Sequence, residues 1–216
     1  MSQIILDFGS GNTCRNDVTI INRMIDELEK INSHKHEIII KWQLFEKAGE
    51  NIPLDQDIFS FAAGYAAAAG YKTTASVFDL ESLKYLLHFD ISFIKIANRR
   101  DLDWLIGEIP RKVPVYVSVG SSEEGYSLTK NDQVGGIRQF DRGLFCISKY
   151  PANIEDYERR FTKGDMKHGI SDHTIGLDLF KKYQPRIWEK HYKLSDSTGL
   201  DAGLFAITPE ELGEIL

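Results

Sequence analysis

The chain has 216 residues, 42% of them hydrophobic and 27% charged, an ordinary soluble composition that suits one domain with a sizeable core. A formal net charge of −6 argues against an electrostatically driven nucleic-acid binder. The longest apolar-rich run, residues 59–71, is too short to span a bilayer, so no membrane partner is expected. No basic region followed by an apolar stretch opens the sequence. Cys14 and Cys146 lie far apart at no ligand spacing, and a cytoplasmic protein with reduced thiols is expected.

Short β-rich runs alternate with amphipathic ones along the chain. A first strand is predicted over 3–8, then a helix over 16–31 with Ile21, Met24, Ile25 and Leu28 at helical spacing. Residues 37–43 (EIIIKWQ) read as the second strand, and 55–69 as an Ala-rich helix that Gly70 terminates. The third strand is predicted over 71–78 with a helix at 80–89, the fourth over 92–97 (SFIKIA) with a helix at 101–109, and the fifth over 113–120 (VPVYVSVG). Residues 121–142 are polar and Gly-rich and read as loop. The sixth strand, 143–148, is followed by a helix at 153–161, and the seventh, 167–173, by one at 175–184. The eighth strand covers 186–192, and Thr208-Pro209-Glu210-Glu211 is a capping box that opens a last helix to Leu216.

Eight βα units predict an α/β fold, a compact (β/α)8 TIM barrel with shortened helices, as a single domain over 1–216. A doubly wound open sheet is the alternative, lowered by the absence of a Gly-rich dinucleotide fingerprint. Nearly every predicted strand ends on polar residues: Asp7, Lys41 and Gln43, Ser76, Lys95 and Asn98, Ser118, Ser148 and Tyr150, His173, then Glu189 and His191. Such barrels build their sites at the C-terminal ends of the strands, so these residues are expected to converge there.

Strand alternation puts Gly169, Ser171 and His173 on one side, and Ile187, Glu189 and His191 on one side. Two facing imidazoles at a barrel mouth make half of a divalent metal site; the plainer alternative is that each caps its strand through hydrogen bonds. Lys41 and Lys95 interrupt otherwise apolar runs. They read either as a salt bridge to Glu189 or Asp7, or as an anion site with the hydroxyls of Ser76, Ser118 and Ser148. Schiff-base chemistry at a lysine is a further option, though two lysines among several serines fit a doubly anionic substrate better. Asp7, Glu189 and Asp201 are the carboxylates near the mouth, suited to ligate metal, move protons or orient a sugar. Asp201 falls in the loop 199–203, where an aspartate without a role is the alternative.

The stretches KWQ (41–43), FIKIA (93–97), VSVG (117–120), CISKYP (146–151), ISDHTIG (170–176), EKHYKL (189–194) and TPEEL (208–212) resemble, in order, the catalytic barrel of the sialic acid synthases, the phosphoenolpyruvate-dependent nonulosonic acid synthases. The resemblance implies a transferase that joins phosphoenolpyruvate to the open-chain aldehyde of an N-acylated hexosamine such as N-acetylmannosamine. The product is a sialic-acid-like 2-keto sugar acid, and phosphate is released. It implies a divalent metal, usually Mn2+ with Mg2+ or Co2+ as substitutes, on His173 and His191. It assigns phosphoenolpyruvate to Lys41, Lys95, Ser76, Ser118, Ser148 and Tyr150, and it allows a homodimer.

Five departures stand out, one of them that the loop 199–205 keeps its aspartate but lacks the His-Lys that usually follows it. The family's first-strand glutamate is Asp7, and the motif after it is Phe8-Gly9-Ser10-Gly11-Asn12-Thr13. The family's Ser-Gly-Glu after strand four is Asn98-Arg99-Arg100. If Arg100 faces the mouth, a cation stands where a carboxylate contacts the amino sugar, and the acceptor is expected to be anionic or the pocket rearranged. The alternative is that Arg100 turns to solvent at the helix start and pairs with Asp101 or Asp103. The asparagine in the strand-six motif is Ser148. The sequence ends where a linker to an antifreeze-protein-like domain begins in typical members, so a barrel-only synthase is expected. The alternatives are a barrel doing different lyase or aldolase chemistry, or a degenerate paralogue that binds metal or anion.

Overall fold

The computed structural model describes residues 1–47, 49–120 and 141–216. Eight parallel strands close into a barrel in sequence order: β1 (Gln3–Asp7), β2 (Glu37–Leu44), β3 (Lys72–Val77), β4 (Ile94–Ile96), β5 (Val115–Val119), β6 (Arg142–Cys146), β7 (Gly169–Asp172) and β8 (Ile187–His191). Closure comes from β8 pairing with β1, which sets His191 opposite Asp7. The connecting helices are α1 (Gly11–Cys14), α2 (Val18–Ile31), α3 (Gln56–Ala68), α4 (Leu80–Leu86), α5 (Asp103–Glu108), α6 (Ile154–Arg160), α7 (Lys163–His168), α8 (Asp178–Tyr183) and α9 (Pro209–Leu212). From α4 onward none exceeds seven residues, which matches the expected shortening.

Local chemistry accounts for the longer helices. The Asp17 carboxylate accepts from the Thr19 N–H at 2.8 Å and starts α2, whose buried stripe is Ile21, Met24, Ile25 and Leu28. Gly70, at φ +84°, reverses the chain after α3 so that the Tyr71 N–H reaches the Ala66 carbonyl at 2.9 Å.

The two-residue period of the strands divides the interior in two. Outward residues such as Ile4, Leu6, Ile38, Ile40 and Trp42 join the core beneath the helices. Inward residues at the N-terminal end, Ile5, Ile39, Phe93, Leu144 and Ile187, form an apolar plug inside the barrel, with Tyr116 stacked on Phe93. Gly169 is needed there: a Cβ would lie 2.8 Å from Leu144 Cδ2. Two residues further along the same strands, the inner face becomes Asp7, Lys41, Lys95, Ser118, Cys146, Ser171 and Glu189. The plug is thus the floor of a polar layer.

Two readings of the sequence are corrected here. The seventh strand begins at Gly169, not at residue 167, because a capping box between Thr162 and Asp165 carries Lys167 and His168 into α7. The sixth strand ends at Cys146, which leaves Ser148 and Tyr150 on the loop beyond it. The predicted loop over 121–142 falls mostly on residues outside those described; its last residue, Arg142, opens β6.

Outside the barrel wall, Lys190 and Asp172 form a fully buried pair at 3.3 Å. Lys190 Nζ also donates to the Thr174 carbonyl at 2.6 Å, and the Trp188 indole N–H donates to Asp172 at 2.9 Å. Removing one member strands the other charge, so Lys190→Ala should cost about 3–5 kcal/mol of stability, read as a lowered denaturation midpoint. A shift indistinguishable from that of a surface lysine would show the pair to be energetically idle.

Candidate active site

A cavity of about 510 Å³ opens at the C-terminal ends of the strands, with Asp7, Lys41, Gln43, Ser76, Lys95 and Asn98 along one arc of its wall. Ser118, Ser148, Tyr150, His173, Glu189, His191 and Asp201 line the rest. Thirteen of the fourteen expected residues are therefore brought together.

The exception is Arg100, which is not among the lining residues; Arg99 is. Beyond β4 the chain turns, the Arg99 N–H reaching the Ala97 carbonyl at 2.7 Å, so that Ala97, Asn98 and Arg99 all line the cavity before a 3-10 turn begins at Arg100. Arg100 acts instead on the carboxyl of Asp103, and Arg99 pairs with Asp101. Of the two readings of Arg100, the one at the helix start beside Asp103 holds and the one in the mouth does not; the arginine at the cavity is Arg99, one residue earlier.

At the centre lie four charges. Lys41 Nζ sits 2.6 Å from Asp7 Oδ2, 3.0 Å from Glu189 Oε1 and 3.0 Å from Ser76 Oγ. Lys95 Nζ donates to Ser118 Oγ at 2.5 Å and to the Ile96 carbonyl at 3.1 Å, with Glu189 Oε2 at 3.5 Å. Burial pushes the Glu189 carboxyl up, but Lys95 and Lys41 outweigh it and hold Glu189 well below the usual carboxylate range. Burial likewise opposes ionisation of Asp7, and Lys41 and then His191 overcome it, so Asp7 is also held low. The two readings of the lysines are therefore not exclusive: they are ion-paired to Asp7 and Glu189, and they also face the cavity.

A chain of hydrogen bonds extends from Asp7 to the rim. Gln43 Nε2 donates to Asp7 Oδ2 at 3.0 Å and approaches Asp201 Oδ1 at 3.5 Å. Asp201 Oδ2 accepts from the Ser10 N–H at 3.2 Å and from its hydroxyl at 3.0 Å. Gly9 lets the loops meet, since a Cβ there would lie 2.8 Å from Asp201, and its φ of +75° suits glycine. Asp201 thus ties the loop after β8 to the loop after β1.

The imidazoles of His173 and His191 lie with centroids 6.0 Å apart. His173 Nδ1 is 2.7 Å from the Ile147 carbonyl. A carbonyl only accepts, so Nδ1 carries the hydrogen and Nε2 keeps its lone pair. Burial, and then His191, lower the His173 pKa to about 4, so the ring is neutral at physiological pH. His191 Nε2 lies 3.8 Å from Asp7 Oδ2, and its buried Nδ1 has no hydrogen-bond partner among the described residues. Among those residues, no group of three or more His, Cys, Asp or Glu is placed to hold a metal. The two imidazoles facing one cavity, with Asp7 beside one of them, are donors that a divalent ion would share with substrate oxygens and water.

Because His173 binds fewer protons folded than unfolded, its contribution to stability is complete above about pH 6.5 and declines as pH falls toward about 4. His173→Gln, measured in chelator, should flatten the loss of stability across that window. An unchanged slope would place the titration elsewhere.

Sequence reasoning missed Cys146, Arg99 and Phe205 at the cavity. Alternation from Leu144 pointed inward to Cys146. Phe205, whose ring centroid is 4.9 Å from that of His191, comes from an irregular loop with no periodic signal.

A closed (β/α)8 barrel with a charged, histidine-bearing cavity at the C-terminal ends of its strands has the architecture of a barrel enzyme. The model of the NeuB family matches residues 24–216, and the chain belongs to that family. A search of curated proteins found no significant match. Among solved structures, an N-acetylneuraminic acid (sialic acid) synthetase from Leptospira borgpetersenii serovar Hardjo-bovis, in complex with citrate, superposes with a TM-score of 0.75 at 23% identity, covering 98% of this chain and 80% of that one. A putative spore coat polysaccharide biosynthesis protein E from Chromobacterium violaceum gives 0.73 at 16% identity, covering 99% and 72%. A truncated 3-deoxy-D-arabino-heptulosonate 7-phosphate synthase from Thermotoga maritima gives 0.57 at 10% identity, covering 99% and 83%. Among the described residues, no helix is long and apolar enough to cross a membrane.

Proposed function

We propose that this chain is a phosphoenolpyruvate-dependent synthase that condenses the three-carbon unit with a sugar aldehyde, giving a 2-keto sugar acid and phosphate. The observation that carries this reading is the pairing, in one cavity, of two buried lysines flanked by serines with two facing histidines. Membership of the NeuB family and the likeness to a sialic acid synthetase support it.

In this reading Lys95 and Lys41, with Ser76, Ser118, Ser148 and Tyr150, hold the carboxylate and phosphate of phosphoenolpyruvate. His173 and His191 hold a divalent ion, with Mn2+ expected, which when bound supplies Lewis-acid polarisation of the acceptor carbonyl. Asn98 and Arg99 meet the acceptor at the rim. C3 of phosphoenolpyruvate attacks the aldehyde carbon, water adds at C2, and the resulting tetrahedral carbon expels phosphate. Asp7 and Glu189 keep Lys41 charged and oriented, and Asp201 fixes the loop after β8 against the loop after β1. The barrel's contribution is to hold both reactants in one geometry.

The test is phosphate release from phosphoenolpyruvate with Mn2+ and a panel of N-acylhexosamines, including carboxylated and phosphorylated ones. Release that depends on one class of acceptor is expected. A chain that binds phosphoenolpyruvate and metal but never releases phosphate would instead be a binding paralogue. Within the panel, Arg99 in the mouth should favour anionic acceptors over N-acetylmannosamine, and Arg99→Ala should erase that preference. Equal rates for neutral and anionic acceptors in the wild type would remove Arg99 from acceptor selection.

A further inference from the structure

The two buried lysines are not equivalent. Lys41 is enclosed by two carboxylates and a hydroxyl, at 2.6, 3.0 and 3.0 Å. Among the described residues, Lys95 has only neutral hydrogen-bond acceptors, Ser118 Oγ and the Ile96 carbonyl. Its one anionic neighbour within ion-pair distance among the described residues, Glu189 Oε2 at 3.5 Å, makes no hydrogen bond to it or to any other of them. Glu189 gives its closer oxygen to Lys41. The geometry therefore gives one lysine that is a settled ammonium and one whose charge is poorly compensated, both lining the same open cavity.

The groups facing Lys95 reinforce the asymmetry. Burial disfavours its charge, Glu189 supports it, Lys41 opposes it, and Cys146 and Asp7 add smaller support, with the balance below the ordinary lysine value. Lys41, by contrast, is raised despite its burial, by Asp7 and then Glu189. A desolvated amine beside a second cation is the environment that makes a lysine nucleophilic. Ser118 and Ser148 lie on the same cavity wall and offer hydroxyl donors to a carboxylate.

We propose that Lys95 is an imine-forming nucleophile toward 2-oxo acids, an activity separate from the synthase reaction. The Lys95 Nζ lone pair forms a bond to the keto carbon as the carbonyl π pair moves onto oxygen. One N–H proton passes to that oxygen, giving a carbinolamine. The C–O bond then breaks, hydroxide leaves, and a protonated imine remains, so the sum is amine plus ketone giving iminium plus hydroxide. No oxidant or reductant takes part. The adjacent carboxylate of the 2-oxo acid rests on the serine hydroxyls, which brings the keto carbon to the amine. Such an imine is the electron sink that aldol cleavage or condensation of a 2-oxo acid requires, and it needs neither phosphoenolpyruvate nor metal.

The experiment uses the whole chain with pyruvate as probe and borohydride added to reduce any imine to a stable secondary amine, in the presence of a chelator. Intact mass and peptide mass mapping then locate the adduct. The expected result is one reduced pyruvyl group per chain, confined to the peptide that carries Lys95, and its loss in Lys95→Arg. No adduct, an adduct on Lys41, or adducts scattered over surface lysines would each overturn the proposal. The site map of the wild type decides the matter even where Lys95→Arg does not fold. Phosphate release from phosphoenolpyruvate is measured separately, so failure of the synthase reading is distinguishable from failure of this one.

Discussion

Lys41→Met is expected to be the most destabilising single change at the cavity. The ammonium it removes lies within 3.0 Å of both Asp7 and Glu189, and all three side chains are buried. Loss of one partner from a buried ionic cluster costs about 3–5 kcal/mol, because the remaining charges are left without compensation. Here two carboxylates would share Lys95 and the Gln43 amide. The sign of the pH dependence follows from the same contacts. Asp7 and Glu189 are both held below their ordinary values, so in the wild type their contribution is complete above about pH 5 and is lost as pH falls through the lowered values. Without Lys41 those carboxyls move up and accept protons more readily. The gap between wild type and variant should therefore be widest near neutral pH and should shrink below about pH 5. Denaturant midpoints across pH 3–8 check this, and a constant or vanishing gap would mean that Lys41 is not the hub of the cluster.

Phosphoenolpyruvate should bind this cavity on the order of 10²-fold more tightly with Mn2+ than in chelator. The reason is a charge count at the floor of the cavity. Lys41 and Lys95 supply at most two positive charges, and the Asp7 and Glu189 carboxylates lie within 3.5 Å of them. A multiply charged anion arriving there meets no net attraction, and the low local dielectric magnifies the shortfall. A divalent ion on His173 and His191 would restore it. Asp7→Asn removes one negative charge, so it should raise the metal-free affinity and reduce the dependence on Mn2+. Titration calorimetry with and without metal measures both effects. Equal affinity in chelator and in Mn2+ would contradict the linkage, as would an Asp7→Asn variant that binds no better than wild type without metal.

The parts of this architecture governed by a two-residue period were legible in the sequence. Apolar-to-polar switches such as Ile5 to Asp7, Ile39 to Lys41 and Ile187 to Glu189 marked both the strands and the cavity end of each. The breaks in that period were not legible. Lys167 and His168 continue the polar spacing of a strand, yet the Thr162–Asp165 capping box makes them helical. The turn through Ala97–Arg99 and the 3-10 turn after it leave Arg99, not Arg100, at the cavity, which depends on backbone geometry and not on residue type. The seat of Asp201 depends on contact with Ser10, 191 positions away in the chain. The pairing of Lys41 with Asp7 and Glu189 was one of two alternatives, and only strand register could join it to the other.

The most direct test of the synthase reading follows an oxygen atom. Phosphoenolpyruvate labelled with ¹⁸O in the bridge between C2 and phosphorus is supplied with Mn2+ and the best acceptor of the panel. The released phosphate is then analysed by mass. Attack of water at C2 followed by expulsion of phosphate breaks the C–O bond, so the account predicts phosphate that carries the label and that appears only when acceptor is present. Unlabelled phosphate, with the label retained on the keto acid, would mean P–O cleavage and would contradict it, as would labelled phosphate released at the same rate without any acceptor.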